Sequence, residues 1–280
     1  MESQKIIQMQ KSSWGNRMRR FTGSPMFLKL GKVVAFFVIY SILEIGFELY
    51  ELGIDVEFPV GVHTLLGVAL SILLVFRTNS TYDRWWEARK WWGALTNTSR
   101  SLAQVVSGLA ISAEERKHFA DLQSGLPYAL RDRLREDTPP LENAPVMLVA
   151  QMSRFTQKWL NEQVVSPQQW SSLELRLSAF MDVIGACERI RRTPLPLSHR
   201  AAIPQALISY LLVLPWGLPN VWVSPLIVGV VTYFMMGLEF IAEDLEEPFG
   251  FDSDDLPLTT YADGINSSLD QIYRLAPGAS

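Results

Sequence analysis

Four apolar runs, set in two pairs, constrain this chain more than any other feature of it. The first pair reads LGKVVAFFVIYSILEIGFELY from Leu30 and VGVHTLLGVALSILLVF from Val60; the second covers Ala201 to Leu218 and Val221 to Ala242. Coiled as a helix, the run from Val60 to Phe76 spans roughly 26 Å, against a hydrocarbon layer about 30 Å thick. Of the 280 residues, 48% are hydrophobic and 19% are charged. That is too oily for an ordinary soluble protein of this size and too charged for one immersed in lipid throughout. Because the apolar residues cluster instead of scattering, they predict spans and not a single soluble core. The expected fold class is all-α: four transmembrane helices per protomer, with a cytoplasmic helical bundle continuous with them.

Basic residues set the orientation, since Lys and Arg are retained on the cytoplasmic side while Asp and Glu count for little. All 25 of them fall in three places. Lys5, Lys11, Arg17, Arg19, Arg20, Lys29 and Lys32 come before the second half of the first run, Arg274 is the last, and the rest lie between Arg77 and Arg200. Two segments would face outward, ELGIDVEF (51–58) and PWGLPN (215–220), and they hold none. Both termini are therefore expected inside a multi-pass protein of the cell (inner) membrane, with no signal peptide. The expected organisation is a cytoplasmic segment (1–28), spans one and two (29–76), a cytoplasmic helical region (77–200), spans three and four (201–243) and an acidic cytoplasmic tail (244–280). Trp216 and Trp222 flank the second outer turn, as interfacial aromatics do.

The region between the pairs reads as helical throughout. Ser166, Pro167 and Gln169 make a capping-box start with proline at the first helical position. Behind them Trp170, Leu173, Leu177, Phe180, Ile184 and Cys187 recur at alternating spacings of three and four, a seam that suits a helix in a bundle. Leu148, Met152, Phe155 and Trp159 repeat the pattern upstream. Cys187, the single cysteine, sits on that seam and reads as an inert small hydrophobe.

Little in the chain points to chemistry. His63, His118 and His199 lack a second ligand at three or four residues' distance, so no zinc or haem spacing exists. No nucleophile elbow, P-loop or dinucleotide fingerprint occurs, and the expectation is that the protein is not an enzyme. A net charge of -4 argues against a nucleic-acid partner, which needs a basic surface. Glu44 and Glu48, one turn apart on the first span, read as reaching water at its outer end; their alternative role is ion coupling. Glu239 and Glu243 repeat the spacing at the inner end of the fourth span and read the same way. On the second span Val68, Ile72 and Phe76 form one stripe flanked by Gly67 and Ala69. A four-span protomer has little interior, so a conduit would form between copies about a symmetry axis, and a ring of such stripes gives a narrow, dry constriction. After the fourth span comes EDLEEPFGFDSDDLPL, an acidic run that does not fit the EF-hand pattern.

Three stretches together resemble the bestrophin family, pentameric ion channels with a long helical cytoplasmic vestibule. FRTNSTYDRWWEARKWWG (76–93) is similar to the bacterial branch just after its second span, ERIRRTPLP (188–196) to the approach to the third, and EEPFGFDSDDLPL (246–258) to the acidic signature after the fourth. The resemblance implies a homopentamer around a central pore. Its neck would be lined by Val68, Ile72 and Phe76, and its cytosolic aperture would fall at Leu195. In animal members, which are chloride channels, the acidic signature is a calcium clasp; its ligands would map onto Asp252 and Asp255, with Asp244 at a further position. Phe251, Ser253 and Glu247 depart from that signature and weigh against calcium gating, so no cofactor is required and calcium is the one candidate. The expected partners are further copies of the chain, the lipid bilayer and permeant monovalent ions.

Selectivity is left open by the residues. The family implies chloride. Ile72, aliphatic where animal members carry an aromatic, and Glu51, Asp55 and Glu57 in an outer loop without basic residues lean towards cations. An ion-coupled transporter using Glu44 and Glu48, and a membrane scaffold, are the alternatives of other classes.

Overall fold

The computed structural model describes residues 22–49, 60–136, 143–218, 222–252 and 254–275, together with Gly15 and Arg19; the side chains of Glu48, Leu49 and Val60 are not among the described parts. Lys5, Lys11, Arg17, Arg20, Glu51, Asp55, Glu57 and Ser253, on which parts of the sequence reading rest, lie outside the described residues. Among those described there is no β-strand. Eight α-helices follow in order: α1 (Pro25–Leu49), α2 (Val60–Ser107), α3 (Ala113–Arg135), α4 (Ala144–Asn161), α5 (Pro167–Arg192), α6 (Leu197–Val213), α7 (Ser224–Glu246) and α8 (Leu258–Arg274).

The chain divides into two compact units, Met1–Arg84 with Leu195–Glu246, and Trp85–Pro194 with Glu247–Ser280. In the first unit α1, α2 and α7 are each long and apolar enough to cross a membrane. The third predicted run behaves differently. Its helix α6 begins at Leu197, straight after Pro196, and stops after 17 residues, giving way to a 3-10 turn at Pro215–Gly217. Proline restrains the residue before it and cannot donate its own backbone bond, which explains both limits. Leu30, Phe37, Leu74, Leu207, Leu211 and Val228 meet in the core of this unit.

The second unit is a helical bundle whose starts are written in its caps. Ser112 Oγ accepts the Glu115 N–H at 3.2 Å to begin α3. At α5 the reciprocal capping box is complete: Ser166 Oγ accepts the Gln169 N–H at 3.2 Å, and Gln169 Oε1 accepts the Ser166 N–H at 2.8 Å. Both bonds satisfy donors that a helix start leaves open. The predicted seam of α5 is buried from Leu173 through Cys187, with Trp170 packed at its edge. Met152 and Trp159 of α4 face it, and Phe119, Leu126 and Leu130 of α3 complete the core. Burial pushes the Cys187 thiol up to about 12, so it stays protonated and unreactive at neutral pH.

Candidate permeation pathway

Helix α2 runs unbroken for 48 residues, well past the 17-residue run that announces it in the sequence. Its course is explained by a buried stripe. Within the first unit His63, Leu70, Leu74, Arg77 and Thr81 are buried, and within the second Ala88, Trp92, Leu95, Ser99, Leu102 and Val106 continue at three- and four-residue steps. The hydroxyls on the membrane portion are satisfied by the helix itself: Ser71 donates to the Gly67 carbonyl at 2.7 Å, Thr78 to Leu74 at 2.9 Å and Ser80 to Phe76 at 2.9 Å. Such back-bonding lets Ser and Thr sit in an apolar segment without a stranded donor.

Val68, Ile72 and Phe76 lie away from that stripe and are 56%, 51% and 63% exposed. Among the described residues no other element covers them. Gly67 allows the close approach expected of it: a Cβ there would stand 2.9 Å from the Tyr210 hydroxyl of α6. Ala69, its counterpart, is exposed.

Below Phe76 the polar groups of the first unit knit together. Arg77 Nη2 meets Glu239 Oε1 of α7 at 3.0 Å, with only 3% and 4% of the two side chains exposed. Arg77 Nη1 also donates to the Arg200 carbonyl at 3.4 Å. Arg200 Nε pairs with Glu246 Oε1 at 3.1 Å, and Arg84 Nε donates to the Glu246 carbonyl at 2.7 Å. That last contact sets a cation at the C-terminus of α7, where the helix dipole favours one. Lys29 of α1 reaches Glu243 at 2.9 Å and lies over the Phe240 ring, 4.4 Å from its centroid.

Glu239, expected from its place near the span's end to reach water, does not; it is one partner of a buried ion pair. Glu44 is likewise not water-facing, being 5% exposed among the helices. A buried carboxylate without compensation is costly, so a charge inside the bundle is kept where a partner meets it. The sequence reading missed the Arg77–Glu239 pair because its two members stand on different spans. An available signal was that Arg77 is the first charge after an apolar run that the helix continues through.

At the other end of the same unit the Trp216 indole N–H donates to the Tyr40 hydroxyl at 2.8 Å, and Tyr40 donates to the Leu212 carbonyl at 3.0 Å. Trp216 thus ties the turn after α6 to α1, while Trp222 is exposed. His63 packs so closely on Gly217 that a Cβ there would fall 2.0 Å from its Nε2. His118 tilts onto the Phe155 ring at 5.1 Å, and His199 is exposed.

Leu195, the expected aperture residue, is half-buried in the link before α6; Leu197, two residues on, is 78% exposed. The acidic signature is split between the units. Asp244 belongs to the last turns of α7, whereas Asp252 and Asp255 share a tight turn in the second unit. There the Asp255 carboxylate accepts the Asp252 N–H at 2.6 Å, pressed against Gly250, where a Cβ would lie 2.7 Å from Asp255 Oδ2. The Leu256 N–H donates to the Pro248 carbonyl at 2.9 Å, and the Trp85 indole donates to the Asp254 carbonyl at 3.0 Å. Among the described residues no three His, Cys, Asp or Glu side chains gather as a metal site. One Asp255 oxygen is thus committed to the backbone of the turn.

A family model described as bacterial/fungal bestrophin protein matches residues 5–144 and 138–271. A voltage-dependent anion channel-forming protein of Ralstonia nicotianae is 32% identical over 270 residues, covering 88% of this chain and 88% of that one. One from Nostoc sp. is 31% identical over 253 residues, covering 82% of each. Among solved structures, a bacterial bestrophin homologue from Klebsiella pneumoniae superposes with a TM-score of 0.82 at 21% identity, over 88% of this chain and 98% of that one. At that identity the likeness is one of fold.

Proposed function

This chain belongs to the bacterial and fungal bestrophin family, and from that premise we propose that it forms a passive ion channel in the cell membrane, through a pore built where the α2 helices of five copies meet. The observation that carries the reading is the uncovered face of α2, on which Val68, Ile72 and Phe76 stand more than half exposed in a helix whose opposite stripe is buried. Apolar side chains free in one protomer and aligned over about 12 Å make a dewetting constriction when copies close around an axis. Four spans, with α6 and its 3-10 turn as the third, both termini cytoplasmic, and an aperture at Leu195 complete the proposal. No enzymatic activity and no bound cofactor enter it; the acidic turn of Asp252 and Asp255 serves to hold the chain leaving α7.

The relatives' names give anions, and chloride is the family reading. A second reading, cation conduction, is favoured by Asp83, an exposed acid two turns past Phe76 on α2 and the first charge met on that face. The experiment is reconstitution of the full chain in liposomes with Ile72→Ala and Phe76→Ala beside the wild type. Current that changes in amplitude or selectivity in both variants is expected; currents identical in all three would remove the neck from these residues. Saturable, substrate-dependent flux abolished by Glu44→Gln would instead point to a coupled transporter.

A further inference from the structure

The face of α2 that carries Val68, Ile72 and Phe76 does not end at Phe76. Asn79 and Asp83 follow it at three and seven residues, on the same side of the same helix and exposed. Asp83 lies roughly 10 Å beyond Phe76 along the helix axis. Its carboxylate makes no hydrogen bond or ion pair with any described residue. Its charged neighbours point elsewhere. At about 100° per residue, Arg77 and Arg84 stand roughly 120° to 140° around the helix from the stripe. Arg77 is buried against Glu239, and Arg84 is turned onto the Glu246 carbonyl. Between Gly61 and Arg84 the only formal charges are Arg77, Asp83 and Arg84. Over this stretch the fold turns both positive charges away from the open face and leaves Asp83 on it; the next charge on that face, the exposed Lys90, comes seven residues and roughly 10 Å further on.

We propose that Asp83 is a specificity-determining residue of the pore: a carboxylate ring just inside the neck that concentrates hydrated monovalent cations and depletes anions. The inference rests on the reading of Val68, Ile72 and Phe76 as the neck, and it names the ion class that reading leaves open. Five like charges around a narrow, low-dielectric mouth focus the field and raise the local concentration of the opposite sign. An apolar neck has no charge of its own to discriminate by sign, so the first charged ring beside it sets the preference.

The test measures reversal potentials of the reconstituted full chain in asymmetric KCl, for wild type, Asp83→Asn, Asp83→Arg and Phe76→Ala. Wild type is expected to favour potassium over chloride. Asp83→Asn should lower that ratio by about threefold or more, and Asp83→Arg should carry it towards chloride. If both Asp83 variants keep the wild-type ratio while Phe76→Ala alters the current, Asp83 is off the path and the neck stands. If Phe76→Ala is silent as well, the stripe is off the path and the inference falls with it. Asn79→Cys, one turn before Asp83 on the same exposed face, gives a second measurement that does not depend on the arginine variant folding. The native Cys187 is buried and protonated, so the introduced thiol is the reactive one. A cationic methanethiosulfonate should be favoured over an anionic one of similar size, and adding Asp83→Asn should lower that rate ratio by about threefold or more; a ratio unchanged by Asp83→Asn would overturn the proposal.

Discussion

At the scale of single residues, the membrane unit is held by charges it hides. Arg77 and Glu239 meet in the bundle with almost no exposure, and neither can be removed without stranding the other. Arg77→Met should therefore cost about 3 to 5 kcal/mol, read as a lower thermal midpoint of the detergent-solubilised protein. The double change Arg77→Met with Glu239→Leu should recover most of that loss; a midpoint unchanged by Arg77→Met would mean the pair contributes nothing. Cys187 gives a prediction of opposite kind. Its thiol, raised from 9.0 to about 12 by burial, should ignore thiol reagents at pH 7 to 8 and react only on unfolding. Below pH 9 both states keep the proton, and the group adds no pH dependence. Between 9 and 12 the unfolded thiol ionises while the native one does not, so stability falls as pH rises through that window. Rapid labelling of the native protein at pH 7 would contradict the burial.

At the scale of elements, the helices that announce themselves are those whose periodicity and caps agree. Helix α5 is legible in full: Ser166 and Gln169 mark its start, and its seam from Leu173 to Cys187 is the buried face. Ser166→Ala removes one half of the capping box and should cost about 1 kcal/mol. First-turn amides such as Gln169 should then exchange with solvent several-fold faster, and unchanged exchange would show that the cap is redundant. The full length of α2 was not legible, for a specific reason. After Phe76 its exposed face turns polar, with Asn79, Asp83 and Lys90, so the apolar run ends although the buried stripe does not. Helix α6 misled in the other direction, because the apolar run Ala201–Leu218 passes into a 3-10 turn that hydropathy does not distinguish from helix. The Arg77–Glu239 and Arg200–Glu246 pairs join residues far apart in sequence, and knowing them requires knowing which helices are neighbours. Glu44 and Glu239 looked water-facing for the same reason: position along a span says how deep a side chain sits, not which way it turns.

At the scale of the whole molecule, the chain is a bestrophin-family membrane protein in which the described residues leave one face of α2 without cover. That face carries an apolar stretch at Val68, Ile72 and Phe76, followed along the helix by an exposed acid, Asp83, and two turns later by Lys90. A pore of this kind conducts passively: current follows the driving force, and no substrate saturates it. The most direct test is single-channel recording of the full chain in a planar bilayer under a KCl gradient. Discrete current steps are predicted, with a linear dependence on voltage near reversal and a step size altered by Phe76→Ala. A bilayer that stays electrically silent at every voltage, or steps of the same size in wild type and Phe76→Ala, would contradict the account.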